Sequence, residues 1–291
     1  MAEQEAPGLT VDWLNAWLAA IGVTVLVPGV RLRWTDDPVP LALFVLRDGS
    51  PPLSERVAAA IPSLDDLQRL AIARWRQNRS ELSRHVSLIA YADRSSMARA
   101  CGDTSLSSSV TDLIADVPSD GLPHSPFDPP VPKGITLWER LVACRNATDG
   151  APTSVSATLA GRGRRIASNG LGFDARRLVA GVRDAEKRVD PLLEVLAFFG
   201  TSLFPMRGNG AESRARGWTG PPSRLGAFQW CAWLPALDRW AIDALLDLAL
   251  GLSPRGARAR CLGISAWYRT SPYRALGSSD VTRAYGAVRG K

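Results

Sequence analysis

Apolar residues recur at a three-to-four spacing from Trp13 through Leu14, Trp17 and Leu18 to Ile21, the period of a helix with one buried side. Thr10 is placed to cap this helix, Asp12 falls in its first turn, and Gly22 is expected to end it. The β-branched run 23–27 then reads as a strand, and 30–34 and 39–46 as two more, parted by the turn signal Asp36-Asp37-Pro38. Ser63 caps a helix with Asp65 and Asp66 in its first turn, and a further helix is predicted over 86–100. The proline-rich stretch 117–134 cannot be a regular helix or a central strand and reads as a linker or surface crossing. Beyond it the pattern predicts a helix over 134–146 and a strand over 153–159. A helix over 191–199 with proline at its start follows, running into a strand-like piece at Leu203 and Phe204. A glycine-rich loop spans 207–222, a strand 225–233, a helix capped by Asp238 comes next, and short β pieces lie in 261–268.

These elements predict a mixed α+β protein in two parts, 1–116 and 135–291, joined by 117–134. Residues 14–26 and 192–204 echo one another as helix, glycine and strand, the mark either of a duplication or of a commonplace unit used twice.

At 46% hydrophobic and 22% charged residues, the composition is that of a folded chain. Its opening residues lack the basic and apolar regions of a secretory leader, and the apolar run 14–27 is too short to span a membrane, so a cytoplasmic location is expected. The four cysteines stand far apart with no CxxC pair, which predicts neither a metal centre nor a disulfide framework.

Charge changes the picture more. Residues 1–150 hold 14 Lys/Arg against 18 Asp/Glu, whereas 151–291 hold 21 against 10. A GC-rich genome accounts for arginine outnumbering lysine, but not for the positive charge gathering in one half. A one-sided field of this kind points to a polyanionic partner.

Catalytic motifs are missing from the sequence. It has no GxxxxGK[ST] phosphate loop and no HExxH, and GRGRR at 161–165 lacks the third glycine of a dinucleotide fingerprint. With His85 and His124 the only histidines, Ser-His or Cys-His chemistry has no positional support, so no enzymatic activity and no cofactor are expected. What remains is arginine in glycine-rich or polar surroundings: Arg162, Arg164 and Arg165; Arg176 and Arg177; then Arg207, Arg214, Arg216 and Arg224. The guanidinium fork fits phosphate oxygens and the guanine edge. Asn169 and Asn209, each beside glycine, are candidate readers of base edges, and Trp218 in the loop is a candidate for stacking on a base. Trp230 and Trp233, on a predicted strand among apolar neighbours, are expected in the core.

The order FDARR (173–177), LLEVLAFFGTSLFPMRG (192–208), GW (217–218), FQWCAW (228–233) and LDRWAIDALL (237–246) resembles the large subunits of type I-U/I-G CRISPR surveillance complexes (Cascade). WLAAIG (17–22) is similar to that family's opening helix–glycine element, while the rest of the acidic half is only faintly alike. The resemblance implies a non-catalytic subunit that contacts guide RNA and recognises the short PAM in target double-stranded DNA. Such a subunit helps to open the duplex, packs against other Cascade subunits and recruits the helicase-nuclease effector. The alternative is a structural subunit that binds guide RNA and its neighbours without reading DNA. The chain is short for such a large subunit, which leaves its engagement of the displaced strand open.

Overall fold

The structure, a computed structural model, describes residues 1–70, 137–168, 170–171, 188–204, 206–207, 214–219, 227–249, 257–274 and 281–290. Within them the protein is α+β: helices packed with separate antiparallel sheets. The expected helix over 86–100, the crossing 117–134 and the FDARR segment lie outside the described residues.

The first sheet has the order β1-β3-β2, from Ala2–Thr10 (β1), Arg31–Trp34 (β2) and Leu41–Leu46 (β3). Its register is set by Ala2 opposite Leu46 and Arg31 opposite Val45, and Leu32 and Trp34 alternate into the core. Here the expected 10–22 helix is displaced. Thr10 ends β1, and the helix α1, Leu14–Leu26, starts after Trp13 and runs straight through Gly22. The expected strand 23–27 is therefore mostly helix. All thirteen α1 residues are buried, so no exposed face marks how far the helix runs, and β-branched residues at its end imitate a strand.

Helices α2 (Leu53–Ala60) and α3 (Leu64–Leu70) follow, and α3 is capped as its sequence predicts. The Ser63 hydroxyl accepts from Asp66 N at 3.0 Å and donates to the Asp66 carboxylate at 2.7 Å. Beyond the undescribed stretch come α4 (Leu137–Asn146) and α5 (Pro152–Leu159). The strand expected over 153–159 is thus a helix: Pro152 presets its first turn, and Val155, Thr158 and Leu159 form one buried side. Two short strands, β4 (Ile166–Ala167) and β5 (Arg188–Val189), pair and lead to α6 (Pro191–Gly200). The apolar piece at Leu203 and Phe204, expected extended, is a single 3-10 turn over Thr201–Leu203 with Phe204 at its end.

Helices α1 and α6 run side by side in the same direction. Asn15 Nδ2 donates to Glu194 Oε1 at 2.5 Å near their starts, and Gly22 meets Gly200 near their ends. Beyond α6, β6 (Met206–Arg207) and β7 (Arg214–Ala215) form a small hairpin, so the expected loop 207–222 is partly ordered as sheet. The second main sheet has the order β11-β10-β9-β8, from Trp218–Thr219 (β8), Ala227–Trp233 (β9), Ile264–Arg274 (β10) and Val281–Gly290 (β11). Helix α7, Arg239–Ala249, follows β9, with Asp238 capping Ala241 N at 2.9 Å, and a short α8 (Ala257–Cys261) precedes β10.

Both halves of the chain share one core. Trp17 from α1 sits among Phe204, Phe228, Trp230 and Trp233, with ring centroids 5.6 to 6.5 Å apart, and Trp34 meets Trp233 edge-on. Three of the buried indole N–H groups find carbonyls from distant segments: Trp17 donates to Cys231 O at 2.9 Å, Trp230 to Val11 O at 2.7 Å and Trp233 to Leu32 O at 3.0 Å. A backbone bridge between Leu32 and Leu237 links the edge of the first sheet to the segment entering α7. The acidic and basic parts distinguished by charge are therefore joined by these aromatics in the described residues.

Candidate nucleic-acid interface

Helix α5 ends in a glycine that fixes the loop after it. Gly161 has φ of 74°, its N–H bonds to Thr158 O at 3.0 Å, and Arg162 N bonds to Ala157 O at 2.8 Å. Those two bonds close the helix end in a Schellman turn, which only a residue at ease with positive φ completes without strain. The turn is pinned from both sides. Gly161 rests on Gly8 of β1, and Gly163 packs so closely on the Asp190 carboxylate and Thr158 that a Cβ would overlap them.

From this fixed backbone Arg162, Arg164 and Arg165 project into solvent. Pairing of β4 with β5 sets Ala167 opposite Arg188, a fourth exposed arginine carried close to the loop. Among the described residues none of these four has a salt-bridge partner. Arg188 escaped sequence reasoning because it closes a mixed-charge run after Glu186 and Lys187, and only the strand pairing joins it to the others.

Asp190 lies beneath the loop. Its carboxylate caps α6 by accepting from Leu192 N at 3.0 Å and Leu193 N at 3.3 Å, and it accepts the Thr158 hydroxyl at 2.8 Å. Burial pushes its pKa up, while those hydrogen bonds and the nearby charge of Arg165 pull it back. One buried acid thus orders the α6 start and the loop from which the arginines project.

The other candidates fall elsewhere. In the β6–β7 hairpin the register sets Arg207 opposite Arg214. Trp218 is on strand β8, opposite Phe228, and not in a loop as expected. Arg216 is committed to the fold. Its side chain is 7% exposed, and its guanidinium donates to Asp243 Oδ1 at 2.5 Å and Asp243 O at 3.1 Å and forms an ion pair with Asp247 Oδ1 at 2.8 Å. With two carboxylates on it, Arg216 has no charge to spare for phosphate. Asn169, Arg176, Arg177, Asn209 and Arg224 lie outside the described residues.

Among the described residues no three His, Cys, Asp or Glu side chains converge as metal ligands. Cys144 and Cys231 are buried free thiols; burial, and for Cys144 also the charge of Glu194, pushes their pKa values up, that of Cys231 to about 12. Among the described residues no helix is long and apolar enough to cross a membrane.

The fold and the loop define an α+β protein with an exposed arginine surface that has no salt-bridge partner among the described residues. No known protein family matches this chain, and no curated protein or solved structure does either.

Proposed function

We propose that this chain is a nucleic-acid-binding protein that grips a sugar–phosphate backbone through Arg162, Arg164, Arg165 and Arg188. The observation that carries the reading is a set of exposed arginines, three on a loop pinned by a Schellman turn and two glycine contacts and one on the adjoining strand β5, with no salt-bridge partner among the described residues. A preordered loop loses little entropy on binding, and each guanidinium brings two parallel donors to a phosphate. The excess of positive charge over 151–291 steers a polyanion to this half of the chain. The resemblance of 173–246 to type I Cascade large subunits supplies the setting: a non-catalytic subunit contacting guide RNA and the PAM-bearing duplex, and meeting the helicase-nuclease.

The test is the salt dependence of binding. Four phosphate contacts give a log–log slope of about −3.6 on duplex DNA, a loss of about 10²-fold between 50 and 200 mM salt. Fluorescence anisotropy with labelled duplex DNA and with single-stranded RNA measures it. Replacing Arg162, Arg164 and Arg165 together with alanine is expected to make the duplex slope shallower by about 2.7. An unchanged slope and affinity would remove the loop from the interface. Binding that survives on guide RNA but is absent on every duplex would favour the structural guide-RNA subunit.

A further inference from the structure

We infer that α7 is a self-association surface, on which two copies of this chain pair their α7 helices antiparallel about Ala244. Ile242, Leu245, Leu246 and Ala249 turn inward, as a surface helix requires. The outward face is apolar too: Trp240 is 69% exposed, Leu248 is 60% exposed, and Ala244 is exposed between them. Spacing of i, i+4 and i+8 aligns these three in one stripe. A helix that is apolar on opposite faces is normally covered on both.

The stripe is complementary to its own reverse. Its order is large, small, large, so a second helix running the other way lays Trp240 on the copy's Leu248 and brings the axes closest at Ala244. Arg239, which stacks on Trp240 at 4.8 Å, stands at one end, and Asp247 stands toward the other. Reversal therefore brings Arg239 of each copy toward Asp247 of the other, where two acids, Asp243 and Asp247, share the one Arg216 of their own chain. Asp243 flanks the two-fold centre and would meet its twin, but Arg216 lies against both Asp243 and Asp247 and offsets that repulsion. The same acids argue against nucleic acid as the occupant of this face, although Trp240 alone has the makings of a stacking platform.

Size sets the strength. Eleven residues of helix span roughly 16 Å, and one such face falls short of the roughly 800 Å² per partner of a standard interface. The dimer is therefore weak and concentration-dependent. Sedimentation equilibrium on the full chain from about 1 to 300 µM, the weak-association range, is expected to show a monomer–dimer equilibrium. Trp240→Ser and Leu248→Ser, both at exposed positions, are expected to weaken it by about tenfold or more. In a Cys261→Ser background, Ala244→Cys is expected to give a disulfide-linked dimer on mild oxidation, and a Glu55→Cys control much less. A chain monomeric throughout, a dimer indifferent to Trp240→Ser and Leu248→Ser, or equal crosslinking at 244 and 55 would each overturn the proposal.

Discussion

Gly22 of α1 and Gly200 of α6 meet at one level, where a Cβ on Gly22 would stand 3.1 Å from the Gly200 amide nitrogen and run into the Leu196 carbonyl. The contact is reciprocal, for a Cβ on Gly200 would run into the Leu18 carbonyl. Leu18 precedes Gly22 by four residues, as Leu196 precedes Gly200, so the two helices contribute the same local motif to both sides of their interface. The echo between 14–26 and 192–204 thus marks a packing motif: the glycines let two backbones approach, and neither halts its helix before the contact.

Gly22→Ala and Gly200→Ala are expected to destabilise the protein by about 2–4 kcal/mol each, through overpacking at the backbone. Helix propensity alone predicts the opposite sign, a gain of about 1 kcal/mol. Urea unfolding decides between them, and a stabilised variant would mean that the helices do not touch there. Because both substitutions wedge open one interface, the double variant is expected to lose less than the two losses combined.

Trp17 ties α1 to β9 by packing and by its bond to the Cys231 carbonyl. Trp17→Phe keeps most of the apolar area but loses the donor, a cost of about 1–3 kcal/mol. Trp17→Ala also opens a cavity and is expected to cost about 3–5 kcal/mol. Equal losses for the two substitutions, measured by denaturant unfolding, would show that the hydrogen bond and not the ring volume holds this junction.

Local chemistry made several elements legible. Ser63 and Asp238 cap the helices that their side chains predict, Pro191 opens α6, and alternation marks β2. Reading failed where tertiary packing decides. The start of α1 shows its period, but the helix is buried all round, so nothing marks its end, and Gly22 looks like punctuation until α6 is set against it. At the site, composition singled out Arg162, Arg164 and Arg165, but it treated Arg216 as their equal. Arg216 differs only because Asp243 and Asp247, a full helix away in sequence, fold onto it. No local pattern carries that information.

The two kinds of arginine are expected to separate experimentally. Arg216→Ala leaves Asp243 and Asp247 facing one another without their cation and is expected to cost about 1–3 kcal/mol of stability. Its effect on nucleic-acid affinity, measured well below the unfolding transition, is expected to be under twofold. Arg164→Ala should do the reverse, shifting stability by less than about 0.5 kcal/mol while weakening binding and reducing the salt slope. If Arg216→Ala instead lowers the salt slope by about one, its guanidinium leaves the two acids to hold phosphate.

Asp190 couples the loop to pH. Its pKa is raised in the fold, chiefly by burial, so from the ordinary carboxylate range upward the native chain holds a proton that the unfolded chain has lost. Stability contributed by the protonated form is present at low pH and declines as pH rises through that window. Asp190→Asn keeps a capping oxygen and does not titrate, so its stability relative to the unsubstituted protein is expected to improve from pH 3.5 to pH 7. Thermal melts across that range measure the trend. A relative stability that worsens with pH would mean that the Leu192, Leu193 and Thr158 hydrogen bonds outweigh burial and that the ionised carboxylate is the favoured form. The same substitution removes the negative charge next to Arg165, so at pH 7 it is expected to tighten nucleic-acid binding a few-fold. Because the unsubstituted acid loses its charge as pH falls, that advantage should vanish toward pH 3.5, and an advantage that persists there would place its origin somewhere other than the Asp190 charge.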